Sequence, residues 1–468
     1  MNTYLSASPL EGRQGDQRRL LDHGSALLSR TDPVLAELLD DEVARQRTTL
    51  AMVASASVAH PSVLAAAGSA LSNVTAEGYP GARYHPGAVW FDEIERLAVE
   101  RAKSAFGARY ANVQPHSCSS ANISVLTSLL APGGVLLGLD LDSGGHLTHG
   151  SAASMTGHHF TAVHYGLDEA GLIDYDAAAE LARAHRPTVI IAGASAYPRT
   201  IDFQRFRAIA DSVGAYLVAD ISHIAGLVVT GEHPSPIDLA HITTTSTYKQ
   251  LGGPRGGLIL MGREHDTPGP DGRSTLAQLM QRGVFPRSQG TPDPAAIAAK
   301  ARALGLVVQP EFKQAARRIV DNAQALAAAL SAAGHQVLTD GTDNHMVLLD
   351  LLGRGMSGVV AERALEECGI LANRNRIPGD TRPPLVTSGL RLGTNILAQR
   401  GMGASEMAHC ARLLDKVLTA TSPVSDTRYR LPREVRDQVR AAVAQLCAAF
   451  PLPCHDPSAV PAETRRVL

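Results

Sequence analysis

Five short apolar runs recur through the middle of the chain and restrict its fold more than any other feature. They are Val135-Leu-Leu-Gly-Leu139, Val189-Ile-Ile-Ala192, Ala215-Tyr-Leu-Val-Ala219, His241 to Thr247 and Gly257-Leu-Ile-Leu260. Runs that stay apolar along their length, instead of alternating, suit strands covered on both faces. Helical segments such as Tyr175 to Ala184 and Phe203 to Gly214 separate several of them. Strands alternating with helices predict an α/β fold on a mostly parallel sheet.

The rest of the chain fits around that sheet. Residues 1–50 read as an arm with one amphipathic helix, Leu35, Leu38, Leu39 and Val43 on one face. A large domain is expected over 51–305, opened by a helix at 91–106. A smaller α+β domain is expected over 306–468: a long Ala-rich helix at 310–333, strands at Met346–Leu351 and Leu390–Gly393, and helices near 404–420 and 432–449. The Pro-rich tail 451–468 reads as loose.

Charge narrows the partners. The formal net charge is −2 and 19% of residues are charged, which gives no electrostatic reason to expect nucleic acid or an anionic membrane. No apolar run approaches the roughly 20 residues of a membrane span, and the start of the chain lacks the layout of a signal peptide. Five widely spaced cysteines do not suggest a disulfide framework. The expectation is a cytoplasmic protein acting on small molecules.

Lysine is scarce: five among the 43 Lys+Arg residues. Lys103, Lys300, Lys313 and Lys416 fall in ordinary helical stretches. Lys249 instead ends a Thr-rich strand and precedes Gln-Leu-Gly-Gly-Pro-Arg-Gly-Gly. It reads either as a solvated surface lysine or as a Schiff-base nucleophile. Asp220 ends the strand Ala-Tyr-Leu-Val-Ala-Asp, where ligand-binding groups of α/β sheets collect. It is either a helix cap or the carboxylate that pyridoxal phosphate needs at its ring nitrogen. Ser117-Cys-Ser-Ser opens a helix, as a plain N-cap or a phosphate cradle. In Gly144-Gly-His-Leu-Thr-His-Gly150, His146 and His149 invite a metal, but no further ligands stand at useful spacing, so no metal site is expected. Arg391, in an apolar β context, suits either an ion pair or a substrate carboxylate.

These residues sit in long ordered motifs: Ala76-Glu-Gly-Tyr-Pro-Gly, Ala111-Asn-Val-Gln-Pro-His-Ser, Gly144-Gly-His-Leu-Thr-His-Gly-Ser, Ile224-Ala-Gly-Leu-Val, Gly253-Pro-Arg-Gly-Gly-Leu-Ile-Leu, Gly341-Thr-Asp-Asn-His and Val386-Thr-Ser-Gly-Leu-Arg-Leu-Gly-Thr. With them the chain, from about residue 50 to 450, closely resembles the serine hydroxymethyltransferase family of fold-type-I pyridoxal-phosphate enzymes. The resemblance implies a large domain with a seven-stranded-type sheet and a homodimer with shared active sites. Lys249 would form the internal aldimine, Asp220 would pair with the ring nitrogen and His146 would stack on the ring. Ser195 and His223 would contact ring substituents, and Ser117, Cys118 and Ser119 would line the phosphate end. Ser55 and Arg391 would clamp the substrate carboxylate. Glu77 would be the acid/base, beside Tyr84, both crossing from the partner. Leu141, Leu147 and Asn375 would face the pterin of a tetrahydrofolate co-substrate.

The chain also departs from the family's pattern. Ala56-Ser57 replaces Glu-Asn, Thr75 and His85 replace tyrosines, Cys118 replaces glycine, Tyr248 replaces the histidine before the lysine, and Arg287-Ser288 replaces Gly-Gly. These changes gather around cofactor and substrate. The expected reaction is therefore aldol and retro-aldol transfer on β-hydroxy-α-amino acids through a glycine quinonoid, in the form of an L-threonine transaldolase that hands the glycyl unit to an acceptor aldehyde. The alternatives are folate-dependent serine hydroxymethyl transfer, simple threonine aldolase or α-methylserine activity, and a catalytically silent relative.

Overall fold

The computed structural model describes residues 15–453. Its central sheet has seven strands: β1 (Tyr110–Asn112), β2 (Val135–Leu139), β3 (Thr161–Tyr165), β4 (Val189–Gly193), β5 (Tyr216–Asp220), β6 (Ile242–Ser246) and β7 (Gly257–Met261). Their order is β1-β7-β6-β5-β4-β2-β3. β2 to β6 run parallel, and β7 is antiparallel to both of its neighbours. The expected mostly parallel sheet is present, and its apolar runs are buried on both faces: β4, β6 and β7 are buried at every position. β1 and β3 were not expected. They are the edge strands, where one side meets solvent or a helix end, so β3 carries the mixed sequence Thr-Ala-Val-His-Tyr and is only partly buried.

A second apolar core lies around a four-stranded sheet of β8 (Gln336–Val337), β9 (Met346–Asp350), β10 (Asn373–Asn375) and β11 (Gly389–Gly393). Leu50 and Met52 belong to this second core, because Leu50 pairs in parallel register with Ile370 and the Met52 carbonyl accepts from Gly393 N at 2.7 Å. The chain therefore touches the second core before it enters the central sheet.

The arm differs from its expectation. It holds two helices, α1 (Asp16–Thr31) and α2 (Pro33–Thr48). The break falls at Asp32-Pro33, where Asp32 accepts from Leu35 N at 3.2 Å and Pro33 takes the first helical position. The amphipathic face of α2 was legible, but the more polar α1 was not. No residue of either helix is buried, and Leu35, Leu38, Leu39 and Val43 are all exposed. Among the described residues no helix is long and apolar enough to cross a membrane. Most of the tail expected to be loose, with Cys454 and His455, lies outside the described residues.

Candidate active site

The carboxyl ends of β1, β2, β4, β5 and β6 reach the same edge of the sheet and deliver Ser117, His146, Ser195, Asp220 and Lys249 there. A cavity of about 180 Å³ opens between all of these but Ser195, lined by Ser117, Cys118, Ser119, His146, Asp220, Ser222, Tyr248, Lys249 and their neighbours.

Asp220 is the most constrained group. Its Oδ2 accepts from Asn122 Nδ2 at 2.9 Å and lies 3.2 Å from His149 Nε2, and its Oδ1 accepts from Ser222 N at 3.0 Å. Asn122 is itself fixed, accepting from Thr244 Oγ1 at 2.6 Å and donating to Thr148 Oγ1 at 2.8 Å. Burial opposes the charge on Asp220, but the hydrogen bond and charge of His149 hold its carboxyl well below the usual range. Sequence reasoning missed Asn122, Thr148 and Thr244, and weighed His149 only as half of a metal pair. Only the second histidine of the Gly-Gly-His-Leu-Thr-His motif hinted at them.

His146, His149 and Asp220 bring their ligand atoms within 4.8 Å of one another. The sequence hid this grouping because Asp220 is 71 residues from His149. The same atoms already have partners: His149, Asn122 and Ser222 on the carboxylate, and Thr148 Oγ1 at 2.8 Å from His146 Nδ1. Burial pulls the His146 pKa down to about 4, so its ring is a neutral flat face on the cavity.

Lys249 follows β6 in a tight turn. Gly252 N donates to its carbonyl at 2.9 Å, Gly253 N donates to Thr247 O at 2.8 Å, and Gly252 adopts a φ of +60°. The amine is buried, which lowers its pKa below the ordinary lysine value while Asp220 pulls the other way. The Tyr248 ring is 5.9 Å from Lys249 Nζ and carries the Arg255 guanidinium 4.4 Å above its centre.

Helix α3 (Val89–Phe106) leads into β1, and helix α4 (Cys118–Leu129) begins at the cavity. Ser117 caps it, accepting from Ser120 N at 3.0 Å, and the N–H groups of Cys118 and Ser119 in its first turn have no intrahelical partner. Cys118 Sγ lies 3.7 Å from Asp220 Oδ1 and accepts from Ser222 Oγ at 3.0 Å. Burial pushes its thiol far up, so it is uncharged.

Arg391, close enough to Lys249 to act on its charge, donates from Nε to Asn373 Oδ1 at 3.1 Å and from Nη1 to the Ser195 carbonyl. Burial lowers the Arg391 pKa to about 10, which still leaves it charged. Asn395, another residue the sequence did not signal, donates to the Ala54 and Ala56 carbonyls at 2.9 and 3.2 Å and so holds the backbone on both sides of Ser55. His223 is buried, stacks on His345 at 5.9 Å, and has an Nδ1 with no partner.

Glu77, Tyr84 and His85 are not brought to Lys249. Glu77 and Tyr84 line a separate open cavity with Phe285 to Gly290, and Tyr84 is 74% exposed, its ring edge on Phe285 at 5.6 Å. His85 Nδ1 accepts from Glu77 N at 3.4 Å. Ser288 Oγ lies 2.6 Å from Ser124 Oγ and Arg287 Nη1 donates to Thr127 O at 3.0 Å, so both lie along α4 beyond its start. Leu141 and Leu147, on the segment that carries His146, are exposed. Arg376 Nε stands 2.8 Å from Asp142 Oδ1, joining the Leu141 loop to the Asn375 segment. Asn375 Nδ2 donates to Arg376 O at 2.6 Å.

This donor set fits pyridoxal phosphate. The buried Lys249 amine would meet the aldehyde, the buried Asp220 carboxylate the ring nitrogen, the α4 N-terminus with the Ser117 and Ser119 hydroxyls the phosphate, and the orphaned His223 Nδ1 a ring substituent. Comparison with known proteins agrees. Residues 28–414 match the profile of the serine hydroxymethyltransferase family. Proteins named serine hydroxymethyltransferase from Synechococcus sp. (strain JA-3-3Ab) and Phenylobacterium zucineum (strain HLK1) are 48% and 47% identical to it, covering 92% and 90% of this chain and 98% and 95% of theirs. One of that name from Nostoc punctiforme (strain ATCC 29133 / PCC 73102) is 47% identical over 440 residues, 94% of this chain and 98% of its own.

Proposed function

The chain belongs to the serine hydroxymethyltransferase family of pyridoxal-phosphate-dependent transferases, and from that membership we propose that it is an L-threonine transaldolase: it cleaves a β-hydroxy-α-amino acid and passes the glycyl unit to an acceptor aldehyde. The observation that carries this reading is the placement of Cys118 and Tyr248. Both depart from the family's pattern, and both line the Lys249 cavity, Cys118 against Asp220 and Tyr248 under Arg255.

The residues divide the work. Lys249, its charge disfavoured by burial, presents a nucleophilic amine to the cofactor aldehyde. Asp220, kept charged and in place by His149 and Asn122, would hold a proton on the ring nitrogen. The neutral His146 ring would cover one face of the cofactor. Arg391 and the Ser55 segment take the substrate carboxylate. Glu77 accepts the β-hydroxyl proton as the Cα–Cβ bond breaks and the aldehyde leaves, and returns it to the new alkoxide when the acceptor adds. When bound, the cofactor supplies the electron sink for the cleaved bond.

Glu77 must then come from a second copy, since within one chain it lines a different cavity. A homodimer with shared sites follows, and the exposed leucines of α2 supply apolar surface for it. The cytoplasm suits four described cysteines that are all buried free thiols.

A second reading, folate-dependent transfer of a hydroxymethyl group from serine, is favoured by Leu141, Leu147 and Asn375, the pterin-facing positions the resemblance implies, of which both leucines are exposed apolar surface suited to a flat heterocycle. The deciding experiment offers L-threonine, L-serine and tetrahydrofolate separately. Acetaldehyde release from threonine without folate, increased by an added acceptor aldehyde, supports transaldolase. Fast serine cleavage that requires tetrahydrofolate replaces it with the second reading.

A further inference from the structure

Lys300 is a fully buried lysine that the chemistry above does not use. It lies on helix α5 (Pro294–Leu306), and its Nζ donates to three backbone carbonyls: Val113 at 2.6 Å, Pro115 at 2.9 Å and Gly257 at 3.1 Å. An ammonium has three N–H donors, and a neutral amine has two, so three acceptors match the charged form. Burial pulls the Lys300 pKa down to about 7, and Asp293 and Glu95 act against that loss. A buried ammonium needs such oxygens to stay charged.

The three carbonyls belong to the two segments that build the phosphate end. Val113 and Pro115 lie in the loop from β1 to the cap Ser117, and Gly257 opens β7. Pro115 O also accepts from Gly257 N at 2.9 Å, so the loop and β7 are tied to each other and to Lys300. Two glycines make room for this. A Cβ on Gly256 would meet Lys300 Cε at 2.1 Å, and one on Gly257 would meet Ser117 O at 2.3 Å. The first glycine admits the lysine, and the second lets the cradle sit against β7. Gly256 O also accepts from Thr247 N at 3.0 Å, two residues before Lys249.

We propose that Lys300 is a positioning residue for the cofactor's phosphate, its ammonium serving as a built-in monovalent cation that ties three carbonyls behind the Ser117–Ser119 cradle. The proposal rests on the cofactor assigned to this cavity and is independent of which aldol reaction follows.

The test is titration of apoenzyme with pyridoxal phosphate and, separately, with pyridoxal, for the unaltered chain and for Lys300→Ala and Lys300→Met. Binding of pyridoxal phosphate by the unaltered chain checks the cofactor reading by itself. Lys300→Ala should bind pyridoxal phosphate roughly 10- to 100-fold more weakly, because three buried acceptors lose their donor. Pyridoxal binding should be unchanged. Ammonium chloride should restore Lys300→Ala, sodium chloride at equal ionic strength should not, and Lys300→Met, whose side chain fills the space, should not respond. Equal loss for both ligands, unchanged pyridoxal phosphate affinity, or no ammonium rescue overturns the proposal. If Lys300→Ala does not fold, Gly256→Ala is read in the same titration, since its Cβ displaces the ammonium. Unchanged phosphate-dependent affinity there overturns the proposal equally.

Discussion

His149 Nε2 stands 3.2 Å from Oδ2 of Asp220, with both side chains buried. This contact joins the loop after β2 to the end of β5, and it explains how a carboxylate remains charged away from water. A carboxyl whose pKa is depressed in the folded state keeps its charge, and the stability that charge brings, at all pH above the ordinary carboxylate range. Both are lost only as pH falls through the folded value. His149→Leu removes the largest opposing contact, so the acid limb of the pH profile of kcat/KM should move upward. An unchanged acid limb would show that Asn122 and Ser222 suffice.

Arg391→Lys should raise KM for the amino acid by on the order of 100-fold, because one ammonium cannot reproduce a planar fork held by Asn373 and Ser195. Cofactor affinity, read by titration, should not move. A change in both would place Arg391 in the cofactor cradle.

Gly257→Ala tests the close approach of β7 to the cradle. Its Cβ would fall 2.3 Å from Ser117 O and 2.7 Å from Ser117 C, both backbone atoms that cannot swing aside. The cost should be about 1–3 kcal/mol of stability, with a matching loss of pyridoxal-phosphate affinity. Thermal melts with and without the cofactor read both effects.

Tyr248→His restores the residue usual in the family. The ring now lies under Arg255 and beside Lys249, so the change should shift the ratio of threonine to serine cleavage by roughly tenfold or more, about 1.4 kcal/mol of differential transition-state binding. Rates measured on both substrates check it. An unaltered ratio would make the departure neutral and weaken the transaldolase reading.

The fold was legible where burial demands an apolar sequence. β4, β5, β6 and β7 lie inside the sheet, and their runs have no other use. β1 and β3 escaped because an edge strand need not be apolar, and α1 escaped because its sequence is more polar than that of α2. At the site, Lys249, Asp220, His146 and Ser117 were legible because each stands at a strand or helix end with a marked neighbour. Asn122, His149, Asn395 and Lys300 were not, since each acts on a backbone or side chain far along the chain. Lys300 reaches Val113 across 187 residues and was read as one more helical lysine. Glu77 and Lys249 line separate cavities within one chain, whereas the resemblance implies a Glu77 that crosses between subunits.

The account rests on Lys249 as the amine that holds the cofactor, and the visible absorption spectrum of the purified protein tests this most directly. Incubated with pyridoxal phosphate and desalted, the unaltered chain should keep a visible band typical of lysine-bound pyridoxal, and Lys249→Ala should lose it together with at least about 1,000-fold of its aldol activity. A chain that stays colourless, or a Lys249→Ala variant that keeps both band and activity, would contradict the account.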